Sequence, residues 1–351
     1  MKIFVIVLAI SFSIKTVAQT NFSKYNEDGY YSFQKNDFTN AIKNFSKALE
    51  YKSEATNSYK IADTYLNRGV CRQMLQNFNN AQDDFDQALS IKPEYIKVYQ
   101  AKSSTFLRAN QLQKAIEWAD KGLEIKPNDG ELKDKKAEAL SKQKKYDEAL
   151  IVLFSVLEDN PRSKKANKYI AHNYQMKKNW DSAIKYFSIA ILIDPLDCAS
   201  FFDRGIAYAE AKDKVNAIKD IEQAMRLDTN ERWVGYNNIG YFVRLDEKDY
   251  TGAILMFDQA LKLNPEFPYA YSNRGFAKLN IGDIKGAYQD VKKSLSLDNK
   301  NSYAYKNLAL IYLKEGKKSD ACYNLEKALE LGYTKEYDDD AQKLLDENCK
   351  K

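Results

Sequence analysis

The sequence predicts an all-α solenoid of about nine stacked helical hairpins, closed at its C-terminal end by one capping helix. Three observations predict it. Pro93, Pro127, Pro161 and Pro195 recur every 34 residues, and Pro265 follows after two further periods plus two residues. Small residues stand at fixed places within each period. Glycine and proline number only 13 and 6 in 351 residues, too few for a turn-rich β fold and suited to helices joined by short links.

The register is set by alanine. Ala41, Ala81, Ala115, Ala149, Ala183, Ala217, Ala253, Ala287 and Ala321 mark nine copies, and we number that place position 20. Position 8 is small in every copy: Gly29, Gly69, Ser103, Ala137, Ala171, Gly205, Gly275 and Ala309, with Gly240 displaced by one residue in the seventh. Position 4 is aromatic in seven copies, Tyr25, Tyr65 and Tyr99 among them. Position 24 is usually large, as in Phe45, Phe85, Phe187 and Phe257, and position 27 is mostly small. Positions 4, 8 and 11 share one face of a first helix, and positions 20, 24 and 27 share one face of a second. Small residues at 8 and 20 let the two helices approach, and the large residues fill the space beside them. Proline at position 32 cannot continue the second helix and opens the next copy. A single hairpin cannot cover its own apolar face, so the copies must stack.

This pattern resembles the tetratricopeptide repeat, over residues 22–335. The departures are local: Trp118-Ala119 where the large residue belongs, Lys133 at an aromatic place, and six added residues near 53–59. The resemblance implies a right-handed superhelix, a tetratricopeptide-repeat α-solenoid, with the first helix of each hairpin along a concave groove that takes a protein or an extended peptide. Residues 336–351 read as the capping helix, with an acidic start at Asp338–Asp340 and an apolar face at Leu344 and Leu345.

The resemblance places positions 2, 5, 6, 9, 12 and 13 in the groove. Position 6 is asparagine four times: Asn67, Asn238, Asn273 and Asn307. An amide offers two donors and an acceptor, which suits a peptide backbone of any sequence, as in the O-linked N-acetylglucosamine transferase superhelix. The same residues could instead bridge neighbouring helices. Groove aromatics accompany them: Tyr241, Tyr269, Phe276 and Tyr303, with Tyr30, Phe33 and Phe202 elsewhere. A peptide-gripping surface in the C-terminal half is the expectation, and glycan stacking on the same rings is the alternative. The fourth copy offers Glu131, Asp134 and Glu138 and the fifth Lys165, Lys168 and His172, either a charge code for an extended partner or a solvated face. Position 9 is never asparagine, which argues against the carboxylate clamp of chaperone adaptors.

Arginine at position 7 occurs in three copies, Arg68, Arg204 and Arg274. The same three alone carry aspartate at position 23: Asp84, Asp220 and Asp290. That co-occurrence predicts a structural ion pair within each hairpin.

Catalysis finds little support. His172 is the sole histidine, no phosphate loop and no Gly-x-Ser-x-Gly appears, and no cofactor or metal is expected. Net charge is +5, and +3 without the two lysines of residues 1–18, too balanced to point to nucleic acid. Residues 1–18 read as a secretory signal: Lys2, an apolar run over 3–10, and Thr16-Val17-Ala18 before a cleavage that leaves Gln19 first. An uncleaved anchor is the alternative, though the run is short for a span of about 20 residues. No later stretch is apolar enough to cross a bilayer. The expected location is the periplasm or outer envelope of a bacterium. Export permits disulfides. Cys322 and Cys349 flank a predicted turn at mirror distances, and either a bridge or two buried thiols fits that placement.

Overall fold

The computed structural model describes residues 20–55, 57–336 and 339–349; the expected signal segment lies outside them. Every regular element among these residues is helical. They form two compact units that divide after Asp159.

The first unit holds four hairpins: α1 (Asn21–Gln34) with α2 (Phe38–Glu50), α3 (Ser58–Met74) with α4 (Phe78–Ile91), α5 (Ile96–Arg108) with α6 (Leu112–Ile125), and α7 (Gly130–Lys142) with α8 (Tyr146–Asp159). The second holds five: α9 (Lys164–Met176) with α10 (Trp180–Ile193), α11 (Cys198–Glu210) with α12 (Lys214–Leu227), α13 (Arg232–Asn238) with α14 (Tyr250–Leu263), α15 (Pro268–Asn280) with α16 (Ile284–Leu297), and α17 (Ser302–Lys314) with α18 (Lys318–Glu330). A short α19 (Tyr333–Glu336) and then α20 (Asp340–Cys349) follow.

The small-residue pattern is the packing pattern. All nine position-20 alanines are fully buried, and so are Phe45, Phe85, Leu153, Phe187, Ile221, Phe257, Val291 and Leu325 at position 24. The fit at position 8 is close. A Cβ on Gly69 would sit 2.5 Å from the Phe85 ring, and one on Gly240 would sit 2.7 Å from that of Phe257. Where the pattern breaks, the packing shows how. Trp118 lies beneath the ammonium of Lys102, 4.1 Å from the ring centre, and Ala119 takes the core place. Lys133 runs its stem through the aromatic place, and its ammonium emerges on Asp159 at 2.8 Å.

Each hairpin turns in the same way. The residue five before the position-20 alanine has positive φ in all nine: Asn36, Gln76, Asn110, Lys144, Lys178, Lys212, Lys248, Gly282 and Gly316. The next N–H then donates to a carbonyl five residues back, as Asp37 to Ser32 and Lys145 to Leu140, the closing bond of a Schellman motif. That next residue is also the N-cap of the second helix. Asp213 accepts from the Asn216 N–H at 3.2 Å, and Asp283 accepts from Gly286 at 2.8 Å.

Insertions are absorbed inside elements. Six residues added before the second copy appear as a 3₁₀ turn (Lys52–Glu54) and a 17-residue α3 where most first helices have 13. The displaced Gly240 has a matching cause. One extra residue between it and Ala253 is taken up by a π-helical segment, Ile239–Leu245, that continues α13. At the C-terminal end, Ala341 and Leu345 of α20 bury against Ala321, Leu325 and Ala328 of α18. A disulfide joins Cys322 to Cys349.

Candidate functional site

The second unit carries a trough of mixed polar and apolar lining, built mainly from first-helix residues. One hollow, about 320 Å³, lies between Tyr241, Phe242 and Leu245 of the π segment, Phe276 of α15 and Tyr303 of α17, with Glu210, Lys212 and Asp246 at the mouth. A second hollow of about 370 Å³ meets it at Phe276 and runs between Leu279 and Leu310, Leu313 and Lys314. The rings define the floor. Tyr241 and Tyr303 stand edge to face at 6.3 Å, Phe276 lies 6.5 Å from Tyr303, and Tyr303 stacks on Tyr333 at 6.3 Å. At the mouth Lys212 pairs with Asp246 at 2.8 Å, and Glu210 adds a further carboxylate, so the rim is polar.

Three of the four predicted aromatics are therefore brought together. Tyr269 is not among them: its ring lies 5.7 Å from Phe267, which meets Trp233 at 4.4 Å. Tyr303 contributes an edge to the trough but is mostly buried, at 7% exposure, and serves as floor instead of a free gripping surface.

The asparagines need correction. Asn273 and Asn307 are buried and face neighbouring hairpins. Asn273 donates to Asn237 at 3.0 Å, and Asn307 donates to the Ser272 carbonyl at 3.1 Å. Asn238 is half-buried and accepts from Asn237 at 3.3 Å. Asn67 lies in the first unit and donates to the Tyr30 hydroxyl at 2.6 Å. Asn67, Asn273 and Asn307 thus join successive hairpins, Asn238 is engaged within its own helix, and position 6 does not present a row of open amides. The spacing placed these residues on the correct face but carried no information on depth, and a short polar side chain there is covered by the next hairpin.

Sequence reasoning missed Lys306, at position 5. It is 6% exposed, pairs with Asp340 at 2.6 Å, and lies 5.4 to 5.9 Å from the rings of Phe276, Tyr303 and Tyr333. A buried cation held by one carboxylate and three π faces fixes the wall of the trough. Leu310 and Leu313 were also missed, although they occupy groove positions 9 and 12, because aliphatic residues were not considered there. Phe242 was hidden by the π segment, which turns an extra side chain toward the same side.

The predicted Arg–Asp pairs are present. Arg68 meets Asp84 at 2.7 Å, Arg204 meets Asp220 at 2.6 Å, and Arg274 meets Asp290 at 2.6 Å. Each arginine also reaches the second helix of the preceding hairpin, at Ser46, Ser188 and Asp258 respectively. The pair is therefore a three-helix clamp. The mid-chain charges are engaged locally. Glu131 and Glu138 pair with Lys135 and Lys142 on their own helix, Lys168 pairs with Asp197, and His172 faces Asp203 at 3.4 Å. Burial raises the Asp203 carboxyl above its usual range, with His172 and Lys168 opposing the shift. Among the described residues no group of three or more His, Cys, Asp or Glu side chains is placed to hold a metal ion. No helix among them is long and apolar enough to cross a membrane.

Comparison with known proteins agrees with the hairpin geometry. A family model described as "Tetratricopeptide repeat" matches residues 62–95 and 96–129, and one described as "TPR repeat" matches 243–282. Tetratricopeptide repeat protein 4 of Bos taurus is 27% identical over 115 residues, 33% of this chain and 29% of that protein. Hsp70-Hsp90 organizing protein 3 of Arabidopsis thaliana is 24% identical over 249 residues, 69% of this chain and 43% of that one. The chain thus spans less than half the length of these curated relatives. A crystal structure of a tetratricopeptide repeat protein from Parabacteroides merdae superposes with a TM-score of 0.61 at 19% identity, covering 71% of this chain and 97% of that one. Residues 62–129 and 243–282 thus match tetratricopeptide repeat models, and the helical hairpins of the chain are arranged as in tetratricopeptide-repeat solenoids.

Proposed function

We propose that the chain is a non-catalytic scaffold that holds an extended peptide segment of another protein in the trough of its second unit. Tetratricopeptide repeats generally bind proteins or peptides, and the observation that carries the reading here is that the two hollows share Phe276 as a wall. Two adjoining hollows of these sizes, walled by Tyr241, Phe242, Leu245 and Phe276 and by Leu279, Leu310 and Leu313, accept large side chains from one strand-like segment. Each side chain buried there contributes about 1.5 to 3 kcal/mol. The polar rim leaves a backbone solvated between anchors.

A display library of random peptides selected on the folded protein tests this. Enriched peptides should carry two or more large apolar residues. Phe276→Ala with Leu310→Ala should cut affinity at least about tenfold while the helical spectrum is kept. Selection of peptides without apolar anchors, or binding indifferent to both substitutions, would overturn the proposal.

We also propose export to a bacterial envelope. The support is the charge, apolar run and Thr16-Val17-Ala18 of residues 1–18, together with a disulfide that suits an oxidising compartment. N-terminal sequencing of the protein from its native host should read from Gln19; a retained Met1 would sink the idea.

A further inference from the structure

The seventh hairpin lacks the clamp and has a cavity in its place. In five hairpins a position-7 cation on the first helix reaches the preceding second helix: Arg68 to Ser46, Lys102 to Asp86, Lys136 to Asp120, Arg204 to Ser188 and Arg274 to Asp258. The corresponding residues in the seventh are Ile239, which cannot reach so far, and Glu222 as the acceptor. Met256 stands where Asp84, Asp220 and Asp290 stand elsewhere. The fifth and ninth hairpins also lack the cation, with Ile170 and Leu308 there, but at the seventh a cavity of about 630 Å³ adjoins these positions, walled by Met225, Ile239 and Met256. That size falls within the range of small-molecule sites.

The charge around it is distinctive. Arg226, Arg232 and Arg244, from α12, the start of α13 and the π segment, converge on the opening. They are three of nine arginines in a chain that otherwise uses lysine five times as often. Their ion pairs are loose: Arg226 to Glu222 at 3.8 Å, and Arg244 to Glu247 and Asp249 at 3.6 and 3.5 Å, against 2.6 Å in the Arg204 clamp; Arg226 Nε also donates to Gln223 at 3.0 Å. Arg232 makes no ion pair among the described residues. Of the lining side chains only Glu222 is acidic; Glu247 and Asp249 stand behind Arg244, so Arg232 is the guanidinium with no carboxylate partner among the described residues, beside Met225, Ile239 and Met256. Guanidinium groups are built to take a carboxylate in bidentate fashion.

We propose that this cavity is a second binding site, distinct from the peptide trough, for a small amphipathic anion: a free carboxylic acid whose apolar body enters the chamber and whose carboxylate meets the arginines. A cationic guest is disfavoured by the same three groups.

Calorimetric titration of the disulfide-intact chain with decanoate, decanol and decyltrimethylammonium, each below its micellar concentration, tests it. Decanoate should bind one to one and more tightly than either analogue, and more weakly at high salt. Arg232→Gln with Arg226→Gln, both at the surface, should weaken decanoate about tenfold or more and leave decanol unchanged. Ile239→Arg with Met256→Asp rebuilds the clamp, and should abolish binding in a protein that melts no lower than the parent. Phe276→Ala should leave decanoate binding intact, which separates this site from the trough. Equal binding of decanoate and decyltrimethylammonium, an absence of decanoate binding, or binding that survives both the arginine and the clamp substitutions would overturn the proposal.

Discussion

Asp84 accepts from both Arg68 and Arg72, at 2.7 and 2.8 Å, while almost wholly withdrawn from water. Asp220 is held in the same way by Arg204. Removing either carboxylate strands a partly buried guanidinium, which costs far more than a surface pair contributes. Asp220→Ala should therefore lower unfolding free energy by about 3 kcal/mol in denaturant titration, and an unchanged midpoint would refute the clamp. The turn residues make the opposite prediction. Lys144, Lys178, Lys212 and Lys248 hold a left-handed backbone that glycine adopts without strain. Each Lys→Gly change should raise stability by up to about 1 kcal/mol, whereas Gly316→Ala should lower it. Cysteine chemistry also divides by environment. Burial pushes the Cys71 thiol up to about 12, so iodoacetamide at pH 8 should label the half-buried Cys198 and spare Cys71. At this scale the clamps were legible because two residue types rose and fell together across copies. The asparagines were misread because identical spacing serves a side chain facing solvent and one covered by its neighbour.

Among elements, periodicity gave the helices and their contact faces, since position 8 and position 20 can only be small where backbones meet. It could not say where an added residue would go. Six before the second copy became a longer helix and a 3₁₀ turn, whereas one in the seventh became a π segment. That segment shapes both hollows described above, with Tyr241, Phe242 and Leu245 toward one and Ile239 and Arg244 toward the other. Deleting Phe242 should restore α-helical register at the cost of a trough residue. Hydrogen exchange would report the change as slower amide exchange over 239–245. The Cys322–Cys349 link closes a 27-residue separation, and the chain-entropy model assigns such a loop about 3.5 kcal/mol. Cys349→Ser should lower stability by up to that amount and speed exchange in α20 first. Mirror placement about a turn allowed the bridge, but only the burial of Leu345 against α18 brings the sulfurs together.

At the scale of the molecule, a chain of two compact units built from nearest-neighbour hairpins need not unfold in one step. Trp118 lies in the first unit, and Trp180 and Trp233 lie in the second. In a Trp180→Phe, Trp233→Phe background, Asp84→Ala should shift the denaturation midpoint reported by Trp118. In a Trp118→Phe background, the same substitution should leave the second unit's midpoint in place. Coincident shifts would show one cooperative body.

The terminal helix α20 also governs what this protein can do with its own kind. While it is stapled down, the strip of Ala321, Leu325 and Ala328 is occupied, and a second molecule finds no foothold there. A reductant would loosen the latch and bare a surface shaped to receive one more hairpin. Sedimentation in dithiothreitol should then reveal concentration-dependent growth of assemblies that the oxidised protein does not form.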